Sequence, residues 1–339
     1  MRVAVVIALL ALSAAACCRP LEVITKGTFL ADVPPVLDRG PLCEVIVEAG
    51  SGEGRVAIID VDGLLLNTDM VGVYSLGENP VATFREKLKR VEADRCVSAV
   101  VLRINSPGGG ATASDVMWHE LVTFKSRRSI PVVACLMDVG AGGGYLLASA
   151  ADYILAHPTS VTGGVGVILN LYNLQDTMAQ FNVLSQSVRA GENIDLGSSA
   201  KLLTPEDRAL LQQMADEFHA RFRATVVEAR PQANLDPATD LDGRVFTAKQ
   251  ALERGLIDEV GYLDDAVERA RALAGGAAGS VVLLRRHGDA GRTAYAVSPN
   301  VPQQGNLLPF SIPGLDRSRM PTFMYLWQPE PTMFRLGGQ

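Results

Sequence analysis

Residues 137–167 read MDVGAGGGYLLASAADYILAHPTSVTGGVGV, and no other stretch restricts the fold of this chain as strongly. An apolar run, residues 130–137 (IPVVACLM), leads into glycines 142–144. A short helix-forming segment, a second apolar run at 153–156 and a second glycine turn at 162–167 follow. Continuous apolar runs of this length fit strands covered on both faces. Where a strand hands over to a helix, backbone N–H groups gather at the helix N-terminus and face whatever sits above it. Hydrolases place a nucleophilic side chain on such a corner. Gly142, Gly143 and Gly144 bring none.

The same alternation extends along the chain. Residues 56–61 (VAIIDV) and 97–104 (VSAVVLRI) read as buried strands. Between them, residues 80–95 place Phe84, Leu88 and Val91 on one face of a helix. The turn at 105–110 (NSPGGG) leads into a helix ending near Arg127, which Thr112 or Ser114 would cap. Short strands are expected at 153–156 and 166–169, a helix at 171–181 and a strand at 183–188. A long helix is expected at 204–230, with Thr204 as cap, Pro205 in the first position and Glu206 and Asp207 on the helix dipole. Helices at 247–254 and 263–273 and a strand at 281–286 complete an α/β layered pattern with a mainly parallel sheet.

Apolar residues make up 48% of the chain and charged residues 20%, a globular composition. With a net charge of −6 and no basic stripe, no nucleic-acid partner is expected. Residues 1–16 read as a signal peptide: Met1-Arg2 is positive, residues 3–12 are apolar but too short to span a bilayer, and residues 13–16 are small. Cys17 follows directly and is the lipidation candidate, with a plain signal peptide as the alternative. Residues 17–54, with Pro34, Pro35 and Pro41, read as a tether holding one short strand at 43–48. The cysteines form no C-x-x-C pair, so zinc and thioredoxin-like chemistry are not expected. Cys96 and Cys135 border apolar runs and read as core thiols; a Cys18–Cys43 disulfide stays open. The last 44 residues hold seven of the 18 prolines together with Phe310, Phe323, Tyr325, Trp327 and Phe334. Aromatics of this number favour docking of the tail on another surface over a purely solvated tail.

Four segments carry a family resemblance: INSPGGG at 104–110, GGGYLLASAAD at 142–152, TGGVGV at 162–167 and DGRVFTAKQALERGLIDEVGYLDDAV at 242–267. Together they resemble the signal peptide peptidase A (SppA) family, over about residues 55–272. The resemblance implies a ClpP/crotonase-like layered fold with repeated β-β-α units over residues 55–274, and a C-terminal strand and Pro/aromatic-rich tail over 275–339. It also implies a membrane-associated serine endopeptidase acting on signal-peptide remnants, with a Ser-Lys dyad, in a homo-oligomer on the periplasmic face of a bacterial membrane.

The dyad itself does not carry over. The family corner S-G-G-Y falls on Gly142, Gly143, Gly144 and Tyr145. The serine of the T-G-S turn falls on Gly164. The lysine of the S-G-x-x-K-D segment falls on Ile194, with Asp195 in register. A serine attacks only if a base takes its proton, and both groups are replaced. Gly109 and Gly143 match the positions whose N–H groups form the family's oxyanion hole; tight packing alone would also explain these glycines.

Substitutes for the dyad are poor. Ser106 and Ser149 read as structural, Ser198 and Lys201 as a chance S-x-x-K string, and Cys135 as a strand residue. His119, His157, His219 and His287 form no triad pattern, and Asp60 with Asp62 read as turn caps. No metal set and no cofactor are expected. The expectation is an exported, non-catalytic SppA-like protein that binds peptides or partner subunits, its aromatic tail lying in the vacant groove or on a neighbour. The alternative is an active endopeptidase with a non-standard nucleophile.

Overall fold

Three of the apolar runs form the middle of one sheet. The computed structural model describes residues 40–52, 54–69, 71–72, 75–76, 78–276, 279–287, 289, 291–296 and 322–327. The signal segment and Cys17 lie outside the described residues. In chain order the strands are β1 (Leu42–Glu48), β2 (Arg55–Asp62), β3 (Val71–Gly72), β4 (Ser75–Leu76), β5 (Val97–Ser106), β6 (Gly108–Gly110), β7 (Val132–Ala141), β8 (Tyr153–Ala156), β9 (Val161–Gly163), β10 (Val245–Thr247), β11 (Glu259–Val260), β12 (Ser280–Arg286) and β13 (Met324–Leu326). The helices are α1 (Pro80–Ala93), α2 (Ala111–Arg128), α3 (Gly143–Ser149), α4 (Gln175–Gln180), α5 (Pro205–Ala229), α6 (Ala248–Arg254) and α7 (Leu263–Leu273).

The main sheet runs β1-β12-β2-β5-β7-β8-β11, with β9 also on β7 and β10 on β9. Its centre is parallel, as the unbroken apolar strands require; β1–β12 and β9–β10 are antiparallel. Side chains alternate across the strands. Ala57, Ile59, Val61, Val100, Leu102 and Leu136 face α1, α2, α3 and α5, while Val56, Ile58, Val101, Val133 and Cys135 face α7. Strand β7 forks: residues 133–136 pair with β8 and residues 139–141 with β9. Thr162 holds the fork by donating its hydroxyl to Gly140 O at 2.7 Å. The far prong ends at the glycine corner.

Long helix α5 starts where its cap signals place it. Thr204 and Asp207 form a reciprocal capping box and Pro205 takes the first position. Helix α2 does not use the expected caps. Its cap position is Gly110, and Ser114 donates its hydroxyl to Gly110 O at 3.0 Å. The first free N–H, on Ala111, is taken by Phe323 O at 3.0 Å, so the C-terminal segment supplies what a side-chain cap would.

The short strand expected within the tether is β1, an edge strand paired with β12. Other local expectations change. Residues 183–188 form no strand and are exposed. The helix expected over 171–181 shrinks to α4. In place of a strand at 166–169, Ile168 alone makes a bridge, to Met324. Cys96 is exposed, not a core thiol. Asp60 caps no turn: it is buried and takes an ion pair from buried Lys87 at 2.7 Å, with Arg103 at 3.8 Å from its other oxygen.

Candidate functional site

The corner is built of backbone. Strand β7 stops at Ala141, Gly142 adopts φ 53 and ψ −126, and α3 begins at Gly143. An L side chain rarely tolerates that backbone. Gly142 donates its N–H to Gly163 O at 2.9 Å, and its own carbonyl takes the Leu146 N–H at 2.9 Å. The next glycines are required by contact. A Cβ on Gly144 would stand 2.6 Å from Ser106 O, and one on Gly143 would overlap the Ser114 hydroxyl. Packing therefore accounts for the small residues by itself. Tyr145 anchors the helix below, fully buried, with its hydroxyl donating to Leu256 O at 2.7 Å. Burial pushes that phenol above its ordinary range.

Strand β6 lies beside the corner. Gly108 O accepts from Leu65 N at 3.0 Å, and Gly110 N donates to Leu65 O at 2.9 Å. Both groups point to the same edge, so the N–H and C=O of Gly109 between them face the opposite edge. On that edge lies β13, antiparallel, with Tyr325 opposite Gly109. The ladder is flanked by Ala111 N to Phe323 O at 3.0 Å and Trp327 N to Pro107 O at 2.9 Å. The far edge of the segment is also paired: Met324 and Ile168 exchange both bonds at 2.9 Å. Residues 323–327 of the tail, with β13 at their centre, thus lie between β6 and Ile168.

Tyr325 sits at the centre of this arrangement. A Cβ on Gly142 would stand 2.9 Å from its carbonyl carbon and nearer still to its carbonyl oxygen. A Cβ on Gly108 would overlap the same oxygen and stand 2.6 Å from Gly143 N. The tail carbonyl therefore lies over the corner, beside Gly143 and opposite Gly109. The Tyr325 ring packs on Phe222 of α5 at 4.7 Å between centroids, and its hydroxyl donates to Phe218 O at 3.0 Å. Burial pushes this phenol up to about 12, with Asp115 adding to the rise, so it stays a donor at neutral pH. Phe323 packs edge-on to Phe218 at 5.0 Å.

The remaining sequence candidates are scattered or engaged. Ile194 lies among turns and is 71% exposed. Lys201 pairs with Asp195 at 2.8 Å and Asp207 at 3.4 Å. The Asp195 hydrogen bond raises its pKa, the opposite of what a lysine base needs. Ser106 donates to Gly63 O at 2.6 Å and accepts from Gly108 N; Ser149 donates to Leu146 O at 2.7 Å. Burial pushes the Cys135 thiol up to about 12, which leaves it unreactive. His219 bridges Val165 O and Leu241 O, both at 2.8 Å. The seat of the tail was missed as a strand. The Phe-x-Tyr-x-Trp alternation at 323, 325 and 327 was the signal that could have found it.

A mainly parallel α/β sheet that ends in a strand-to-helix corner is a scaffold on which hydrolases place a nucleophile. Residues 125–276 match the model of peptidase family S49. A putative protease of Synechocystis sp. is 35% identical over 188 residues, which cover 56% of this chain and 67% of that protein. A putative signal peptide peptidase SppA of Enterococcus faecium is 27% identical over 227 residues, 67% of this chain and 66% of its own length. Protease 4 of Salmonella typhi is 31% identical over 221 residues, 65% of this chain but 35% of its own length. The chain belongs to peptidase family S49 and is an SppA-like protein; its mainly parallel sheet fits the ClpP/crotonase-like fold. It spans just under two thirds of the Enterococcus relative and about a third of the Salmonella one.

Proposed function

We propose that this chain is a non-catalytic member of the family that holds extended peptides in its cleft without cutting them. The observation that carries the reading is the corner itself: Gly142 stands at the position matching the family nucleophile, and the chain's own Tyr325 carbonyl lies over it. Acyl-enzyme chemistry needs a hydroxyl or thiol and a base. Ser106 at the corner donates to a main-chain carbonyl, as does Ser114. The lysine position is the exposed Ile194, and Lys201 is held as a cation by two carboxylates. What the corner keeps is a set of main-chain donors, with Gly109 and Gly143 placed to face a peptide carbonyl as an oxyanion hole does. Such donors bind a carbonyl whether or not it is attacked.

Self-association is part of this reading. Phe181, Leu184, Val188, Ile194 and Leu202 are exposed on one stretch, and Leu210 and Met214 are exposed on the α5 face that follows. Apolar exposure of that density fits a surface covered by a second copy. Export and membrane attachment through Cys17 rest on the sequence alone; among the described residues no helix is long and apolar enough to cross a membrane.

The test is hydrolysis. The purified full chain is incubated with signal-peptide-like and casein substrates, and products are read by mass spectrometry. No cleavage is expected. Turnover that co-purifies with the chain and survives Gly142→Ala would overturn the non-catalytic reading and point to another nucleophile.

A further inference from the structure

The docked tail doubles as a record of what the cleft selects. We propose that the cleft is a tyrosine-reading peptide site. Its ligand is an extended segment with tyrosine opposite Gly109 and a large aromatic two residues before it, and residues 322–327 are its resident occupant. This inference rests on the peptide-binding function proposed above and adds the ligand's identity and its built-in competitor.

Backbone pairing gives affinity without choice. Phe323 and Trp327 pair through main-chain atoms with Ala111 and Pro107, which flank β6, and Met324 pairs with Ile168 on the other side; any sequence except proline could do the same. Choice comes from the side chains. In a strand, residues two apart share a face, and here that shared face presents Phe323 to Phe218 and Tyr325 to Phe222. The Tyr325 side chain is buried, and its one polar atom reaches Phe218 O at 3.0 Å. Phenylalanine would keep the ring contact and lose that bond. Alanine would lose both and leave a hollow beneath α5.

The glycines set how closely a ligand's backbone approaches. Gly108 has φ 103 and Gly142 has φ 53. A Cβ at either would occupy the space now held by the Tyr325 carbonyl. The residue that removes the nucleophile is therefore also the one that seats the peptide. A serine side chain at 142 would contest that space. Loss of chemistry and gain of a closer peptide seat are one substitution.

The experiment uses full chains and a fluorescein-labelled peptide copying residues 321–328 (PTFMYLWQ), followed by anisotropy. Wild type, with its own tail in place, binds the peptide weakly. A full-length Tyr325→Ala chain, whose tail is a poor competitor, binds it at least about tenfold more tightly. Against that chain, a peptide with Tyr replaced by Phe binds roughly 3- to 10-fold more weakly, the loss of one hydrogen bond. A peptide with Ala there binds roughly 30-fold or more weakly. Equal affinity for the Tyr, Phe and Ala peptides overturns the tyrosine reading and leaves peptide binding standing. A folded Tyr325→Ala chain that binds none of the peptides overturns peptide binding itself. If Tyr325→Ala does not fold, Tyr325→Phe serves, because it keeps the ring packing. The expected order of the peptides is unchanged, and an order that ignores the hydroxyl overturns the proposal.

Discussion

Two regions lie where the family resemblance puts the two halves of the dyad, and they are built differently. The nucleophile half, Gly142 to Gly144 with β6, is largely buried, and β6 is paired on both edges. The lysine half, residues 190–201, is a run of turns whose charged groups pair among themselves: Arg189 and Lys201 on Asp195, and Lys201 again on Asp207. The shape of the first region comes from backbone bonds and from close approaches that forbid a Cβ. In the second region residue 194 is exposed. A corner made of main chain holds its geometry whatever side chains flank it, whereas a position defined by one exposed side chain does not.

Gly109→Ala is the strongest way to break that contrast. Its Cβ would stand 2.6 Å from both the carbonyl carbon and the nitrogen of Leu65, and closer still to the Leu65 oxygen. These are main-chain atoms tied to Gly108 and Gly110 at 3.0 and 2.9 Å, so they have nowhere to go. Overpacking against backbone costs about 3 kcal/mol or more, and a chain of this size would melt on the order of 4–5 °C lower or more. Calorimetry on wild type and variant reads this. An unchanged melting temperature would mean that the corner is far softer than its contacts imply.

Gly142→Ser is the intermediate case. A non-glycine residue at φ 53 and ψ −126 stores about 1–3 kcal/mol of strain. Its side chain also meets the Tyr325 carbonyl. The cheaper relief is for the tail strand to leave, since β13 is three residues long and the corner is part of the core. The fold should survive with a melting temperature a few degrees lower, and the tail should become open to chymotrypsin at Phe323 and Tyr325. Unchanged protection of those bonds would show that the cleft has room for a serine beside the peptide.

These regions also differ in how far the sequence disclosed them. The corner was legible because its requirements are local: an apolar run, then glycines at positions needing a special φ or no Cβ. The capping box of α5 was legible for the same reason. The seat of the tail was not, because Tyr325 and Gly109 meet across more than two hundred residues and nothing near either names the other. The 183–188 segment misled because apolar alternation signals a strand only where a neighbouring edge exists. Asp60 misled because its partner Lys87 lies 27 residues further on, and nothing beside Asp60 names it.

Ile194→Lys should have the smallest effect, and it tests the other side of the comparison. In one copy the residue is 71% exposed, so the change should move stability by no more than ~0.5 kcal/mol. An exposed lysine keeps its ordinary high pKa and is no base. The double variant Gly142→Ser, Ile194→Lys should therefore remain inactive even where the tail strand leaves the corner. The informative measurement is melting temperature against protein concentration. If the apolar stretch from Phe181 to Leu202 is covered by a second copy, a lysine at 194 must be desolvated there. Its cost would then grow with concentration, because the wild type gains stability from association and the variant does not. A difference that stays near zero from micromolar to millimolar chain would mean that residue 194 faces water in every assembled state. The stretch around residue 194 would then be no interface between copies.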